Sequence, residues 1–237
     1  MSAAASPGRT PVAGTTRTDA VTDLALTMPL FVIYHLGVIF LPVRNAADVV
    51  TSQLSELATH NLGLYLALTA ALGAVVTLGL LFFGHRDKLR WESFVLVAIE
   101  GVVYALAMRQ VAAVIVGSLP MGPIPGLERT PFGAIVMALG AGFYEEVAFR
   151  VGAFAVGARL LSSLDDWPRW VIYPLWAVVC ATAFSLWHHI GPMGEPFALQ
   201  PFVFRTVCGL VFTAIYAFRG FAPAVWTHAL YDVWALL

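Results

Sequence analysis

From residue 24 onward the chain is dominated by apolar runs, each about long enough to cross a bilayer, and this leaves few folds open to it. A membrane-spanning helix needs about 20 predominantly apolar residues. Spans are expected near 24–41, 62–83, 93–119, 131–161, 168–190, 197–218 and 220–237, the last two separated only by Arg219 and Gly220 in a tight hairpin. Composition agrees, with 59% hydrophobic and 11% charged residues and a mean hydropathy of +0.81, against roughly 45–50% apolar and about 25% charged in soluble domains. The expected fold is all-α, a polytopic transmembrane helix bundle of about seven spans.

The first 23 residues are small and polar without apolar periodicity, and read as a disordered tail. No internal repeat, Gly/Ser linker or soluble domain follows, so residues 24–237 form a single membrane domain. The first apolar run imitates a signal peptide, with "RNAAD" as a cleavage site, but it is long for that role and the charged tail before it is extended, which favours a retained anchor. Basic residues outside the spans set the orientation. With the N-terminus inside, Arg9, Arg17, Arg86, Lys88, Arg90, Arg159, Arg169 and Arg219 lie on the inner side and only Arg44 and Arg129 on the outer. A cytoplasmic N-terminus is therefore expected, and a bacterial inner membrane is the expected location. A net charge of −1 carries no basic excess that would point to nucleic acid. Cys180 and Cys208 sit in apolar runs without metal-ligand spacing and read as packing residues.

Polar groups inside the spans carry the functional information. A charged side chain at the bilayer centre costs about 2.5–3.5 kcal/mol on insertion scales, so such groups face the bundle interior and find partners. They are Glu100 and Arg109 on the third span, Glu145, Glu146 and Arg150 on the fourth, His188 and His189 on the fifth, Arg205 on the sixth, and His228 and Asp232 on the seventh. Glu146 and Arg150, four apart, meet on one helical face as a favourable pair, while Glu145 points about 100° away without that partner. His228 and Asp232 are also four apart, so the carboxylate can fix the ring's tautomer or share a ligand. Phe184 stands one turn before His188, where it can form an aromatic wall. A free carboxylate in a partly dry cavity is a competent base for water. Nearby imidazoles or a protonated side chain can stabilise an oxyanion. The grouping suits peptide hydrolysis.

Plainer readings exist for each part. Glu146 with Arg150 can be a structural ion pair, His189 a packing residue, and Arg205 a snorkelling side chain or a partner of a helix-end carbonyl. Glu100 and Arg109, nine apart, can brace neighbouring helices. Ala138 and Gly142, four apart on the fourth span, suit close helix packing. H-E-x-x-H and G-x-S-x-G are absent, and "YD" at Tyr231–Asp232 lacks the G-x-G-D companion of aspartyl intramembrane proteases. No cofactor is assigned, and a divalent metal held by histidines and carboxylates stays open.

Taken in order, E-E-x-x-x-R in "EEVAFR", F-x-x-x-H in "FSLWH" and H-x-x-x-D in "HALYD" resemble the motifs of the CPBP (Abi) family of type II CAAX prenyl endopeptidases and bacteriocin-processing enzymes. The segment "RTVCGLVFTAIYAFRGFAPAVWTHALYD" also resembles the approach to that family's last motif, and the likeness covers roughly residues 131 to 237. The resemblance implies a glutamate-type intramembrane protease that cuts substrates near a membrane-embedded end. Glu145 would activate water, His188 and His228 would polarise the scissile carbonyl or bind the oxyanion, Glu146 would support, Arg150 would fix the motif and Phe184 would line the substrate site. Asp232 stands where asparagine is common. An ionised Asp232 would repel an oxyanion, so it is either protonated or employed to orient His228.

The expected partners are membrane lipid and a peptide or protein substrate with a membrane-associated end: a CAAX terminus, a leader peptide or a C-terminal sorting anchor. The alternatives are a catalytically silent immunity or scaffold protein, and a proton-coupled transporter, although repeat symmetry and broken helices are missing. One geometric tension remains in the sequence. Glu145 lies about 21 Å into its span at 1.5 Å per residue, whereas His188 closes its own, so the spans must be staggered or tilted, or the loop at 191–196 must dip inward.

Overall fold

The computed structural model describes residues 19–41, 44–57, 61–83, 90–116, 130–164, 167–191 and 194–237. Among these the chain is helical, without strands. Residues 1–18 of the expected tail lie outside the described residues, as do several of the basic residues used for orientation. The first helix, α1 (Ala20–Gly37), begins inside the segment read as tail because Asp19 caps it, its carboxylate accepting from the Thr22 N–H at 3.0 Å. A single 3₁₀ turn, Val38–Phe40, ends it.

A short helix that the apolar pattern did not predict, α2 (Val49–Leu57), precedes α3 (Leu62–Phe83) and α4 (Trp91–Val116). The fourth span is one continuous helical unit: α5 (Pro131–Glu146), a π-helical stretch over Val147–Val156, and α6 (Gly157–Leu164). It is followed by α7 (Arg169–Trp187), α8 (Leu199–Arg219) and α9 (Phe221–Leu236).

Six of these segments are long and apolar enough to cross a membrane. The seventh expected span, α9, has 16 residues, about 24 Å at 1.5 Å per residue, short of a hydrocarbon core of about 30 Å. Its position explains how a short helix serves: α9 is central, packed along α5 and α4 and touched by α1 and α8. Residues Phe221 to Val225 and Thr227 to Ala229 are buried.

Small residues permit this closeness. A side chain on Gly142 of α5 would collide with the backbone and Cβ of Ala229, and Ala138 one turn earlier is fully buried. The α8–α9 hairpin turns on Gly220 at φ +115°, where the Asp23 carboxylate occupies the space of a Cβ and accepts from the Phe221 N–H at 2.6 Å. One apolar cluster, with Leu30, Tyr34, Val136, Phe143 and Val225, joins α1, α5 and α9, and another, with Met108, Phe184, Phe204, Phe212 and Tyr231, joins α4, α7, α8 and α9.

The third-span charges do brace neighbouring helices. Glu100 pairs with Arg219 at the end of α8, and the Arg109 guanidinium lies 3.9 Å over the Trp234 ring of α9.

Candidate active site

Glu145 and Glu146 close the last turn of α5, directly before the backbone widens into the π-helical stretch. Insertions of this kind recur at functional sites. Glu146 is wholly buried, and its Oε1 pairs with Arg150 Nη1 at 3.1 Å and accepts from the Nδ1–H of His228 at 2.8 Å, while its Oε2 accepts no hydrogen bond from any described residue. Arg150 is 1% exposed and reaches α8 as well, donating to the Gly209 carbonyl at 3.3 Å. Its guanidinium lies over the rings of Phe184 and Phe212, 4.5 and 5.1 Å from their centroids.

Glu145 faces the other way. Its Oε1 accepts from the Asn45 side-chain amide at 3.0 Å, a partner on the α1–α2 connection that helical spacing within the motif does not reveal. Its Oε2 accepts no hydrogen bond from any described residue. That oxygen lies 3.9 Å from His188 Nε2 and 3.9 Å from His228 Nε2. These gaps exceed a direct hydrogen bond and match the span of one bridging water.

The hydrogen bonds fix both tautomers. His188 Nδ1 lies 2.9 Å from the Phe184 carbonyl, which can only accept, so Nδ1 carries a proton. The same holds for His228 Nδ1 against the Glu146 carboxylate. In its neutral form each ring therefore presents a bare Nε2 toward Glu145, and it donates there only with a second proton. Aromatic rings hold them in place: Phe212 is stacked on His228 at 4.4 Å, and Phe184 meets the edges of His188 and His228 at 5.1 and 5.8 Å.

Asp232 Oδ2 stands 3.5 Å from His228 Nε2. The carboxylate that fixes the His228 tautomer is thus Glu146, and Asp232 faces Nε2 instead. Phe184, expected as a substrate contact, is 3% exposed and mostly supports the two histidines. Among the described residues no group of three or more His, Cys, Asp or Glu side chains is arranged to hold a metal ion.

Glu145, Phe184, His188, Phe212, His228 and Asp232 line one cavity with Asn45, Met137, Phe204, Tyr231 and the Glu195–Arg205 pair, and Glu146 and Arg150 lie behind this wall. Arg205 neither snorkels nor caps a helix: its Nη2 binds both Glu195 oxygens, at 2.8 and 2.9 Å. Glu195 belongs to the 191–196 loop, and its N–H donates to the His188 carbonyl at 2.8 Å. His188, at the end of α7, nevertheless stands 3.9 Å from Glu145, and Glu195 beyond it lines the same cavity. His189 lies outside the cavity, its Nδ1 3.1 Å from the Glu195 carbonyl and its ring against Phe197.

Residues 128–234 match the family model described as Type II CAAX prenyl endopeptidase Rce1-like, so the resemblance carried by the three motifs holds over the segment that builds most of this cavity. No curated protein and no solved structure matches the chain.

Proposed function

We propose, from the similarity of residues 128–234 to the type II CAAX prenyl endopeptidases, that this chain is an intramembrane endopeptidase hydrolysing a peptide bond through water activated by Glu145. One observation carries the reading: Glu145 Oε2, without a partner of its own, converges with the Nε2 atoms of two histidines from two other helices.

A water held between Glu145 Oε2 and the bare Nε2 of His188 has an acceptor for each of its protons. Its oxygen attacks the scissile carbonyl carbon while Glu145 takes one proton. The developing oxyanion needs a donor, which a neutral imidazole in these tautomers lacks. His228 is the ring suited to bear a second proton, since Glu146 faces its Nδ1 and Asp232 its Nε2. Its Nε2–H then donates to the oxyanion. When the carbon–nitrogen bond breaks, Glu145 passes its proton to the departing amine. Arg150 balances the Glu146 charge and holds α5 to α8.

The substrate is a peptide or protein with a membrane-associated end. The excess of basic residues on the side of the N-terminus supports a cytoplasmic N-terminus, which would set the segment carrying Asn45 and Ala46 on the outer side together with Glu195. Both contribute to the cavity wall, so the cavity is reached from that side. This arrangement favours leader peptides or C-terminal sorting anchors presented at the outer face.

The test is cleavage of a library of farnesylated C-a-a-X, leader and anchor peptides by wild type and Glu145→Gln in detergent, each with and without a strong divalent chelator. Lost cleavage with an intact fold supports the glutamate base, and indifference of the wild type to the chelator makes the reaction metal-free. Equal cleavage by Glu145→Gln would sink the assignment. An inert wild type would favour the silent scaffold.

A further inference from the structure

We propose that Asn45 is a positioning residue that holds the Glu145 carboxylate in its reactive orientation, and that a buried network on α1 and α2 holds Asn45. The inference rests on the glutamate reading above. It adds a part that lies outside the family-matched segment.

The terminal torsion of a glutamate is broad and nearly two-fold, so a carboxylate anchored at neither oxygen does not keep one oxygen aimed. Both histidines stand 3.9 Å away, too far to hold it directly. The amide of Asn45 supplies the anchor at Oε1, at 3.0 Å, and leaves Oε2 turned to the rings. The orientation of that amide is itself determined. Asn45 Oδ1 accepts from the Ala47 N–H at 2.8 Å, so the amide nitrogen must be the atom that faces Glu145.

Each further link is buried. The Asn45 N–H donates to the Tyr34 hydroxyl at 3.1 Å, which donates in turn to Asp48 Oδ2 at 2.8 Å. Asp48 Oδ1 accepts from the Thr51 N–H at 2.8 Å in the first turn of α2. The Thr51 hydroxyl lies 3.3 Å from His35 Nδ1, and His35 Nε2 is 2.7 Å from the hydroxyl of Tyr144, the residue before Glu145. The chain of contacts thus leaves α5 at Glu145 and returns to it one residue earlier. Tyr34, His35, Asp48 and Thr51 are each 2% exposed or less. Packing alone calls for no such set, because burying polar groups is unfavourable unless each finds its partner. A satisfied network is rigid, and here its end is Asn45.

Asn45→Asp separates this role from a structural one. Aspartate keeps the acceptor for the Ala47 N–H and the backbone contact with Tyr34, and replaces the donor toward Glu145 with a second carboxylate oxygen. With a quenched fluorescent farnesylated C-a-a-X peptide in detergent, kcat is expected to fall about 10- to 100-fold with KM unchanged. Tyr34→Phe, which touches the network and not Glu145, is expected to lower kcat to a lesser degree.

Thermal unfolding supplies a readout that needs no cleavage. Asn45→Asp sets two carboxylates together and lowers the midpoint, while Asn45→Asp with Glu145→Gln exchanges donor and acceptor and restores it. Additive midpoint shifts would overturn the contact whether or not the peptide is cut. Wild-type kcat in Asn45→Asp beside an inactive Glu145→Gln would overturn the positioning role alone. Wild-type cleavage by Glu145→Gln would instead remove the reading on which it rests.

Discussion

Glu145 and Glu146 are adjacent in sequence and opposite in surroundings, and their amide variants are expected to fail differently. Glu146→Gln removes the charge that faces Arg150, a guanidinium 1% exposed, while leaving an acceptor for the His228 Nδ1–H. A buried ion stripped of its partner costs about 3–5 kcal/mol, so Glu146→Gln should lower the unfolding midpoint sharply. Glu145→Gln strands no cation, and should lose cleavage with a nearly unchanged midpoint. Both are read in one thermal-unfolding series beside the cleavage assay. Phe212→Leu tests the ring support. Without the stacked phenyl His228 is freer to turn, and displacement of a reacting group by about 1 Å costs as much as about 100-fold in rate. An unchanged kcat in Phe212→Leu would show that Glu146 and Phe184 hold the ring without it. At this scale the charged members of the site were legible, because polar residues are rare in apolar spans and helical spacing sorts them. Asn45 was not legible: it is a loop asparagine 100 positions from its partner. Phe212 was hidden among the aromatic residues of an apolar helix.

Hydrophobic run length marks the elements, and that signal captured the long helices to within about four residues at each end, and Leu62–Phe83 to the residue. It did not capture α2, which is short and mixed in polarity, or the π-helical stretch after Glu146, whose residues differ in no evident way from α-helical ones. Nor did run length show that α9, short for a span, is the central helix against which α5 is set. This contact decides whether the site assembles, since α5 carries both glutamates and α9 carries His228 and Asp232. Gly142 is the point of closest approach, where a side chain would meet Ala229. Gly142→Val is therefore expected to push the two helices apart, with an overpacking cost of about 1–3 kcal/mol. Cleavage should fall by more than this destabilisation explains, because the distance from Glu145 to His228 grows with the separation. Full activity in Gly142→Val, measured well below its unfolding midpoint, would show that α5 and α9 adapt without disturbing the site.

For the molecule as a whole, the sequence supplies a charge asymmetry and the structure supplies a cavity lined in part by segments between the helices, and the two together make the side of substrate entry testable. Eight basic residues flank the spans on the side of the N-terminus and two on the other. The loops at 41–48 and 191–196 bring Asn45, Ala46 and Glu195 to the cavity wall. Neither apolar run length nor motif spacing could show that Asn45 reaches Glu145 or that Glu195 meets Arg205, because these polar contacts join residues of different elements. If the charge bias sets the topology, the cavity faces away from the cytoplasm. Ala46 is exposed and the native Cys180 and Cys208 are both buried, which makes cysteine labelling a clean test. Ala46→Cys should react with a membrane-impermeant maleimide in intact cells. Ser163→Cys, at an exposed position near the end of α6, should react only once the membrane is opened. The reverse pattern would turn the cavity toward the cytoplasm, and with it the substrate class: farnesylated C-a-a-X termini made in the cytoplasm would then fit the entrance better than leader peptides or anchors presented outside. Orientation therefore decides among substrates that the catalytic groups themselves do not distinguish.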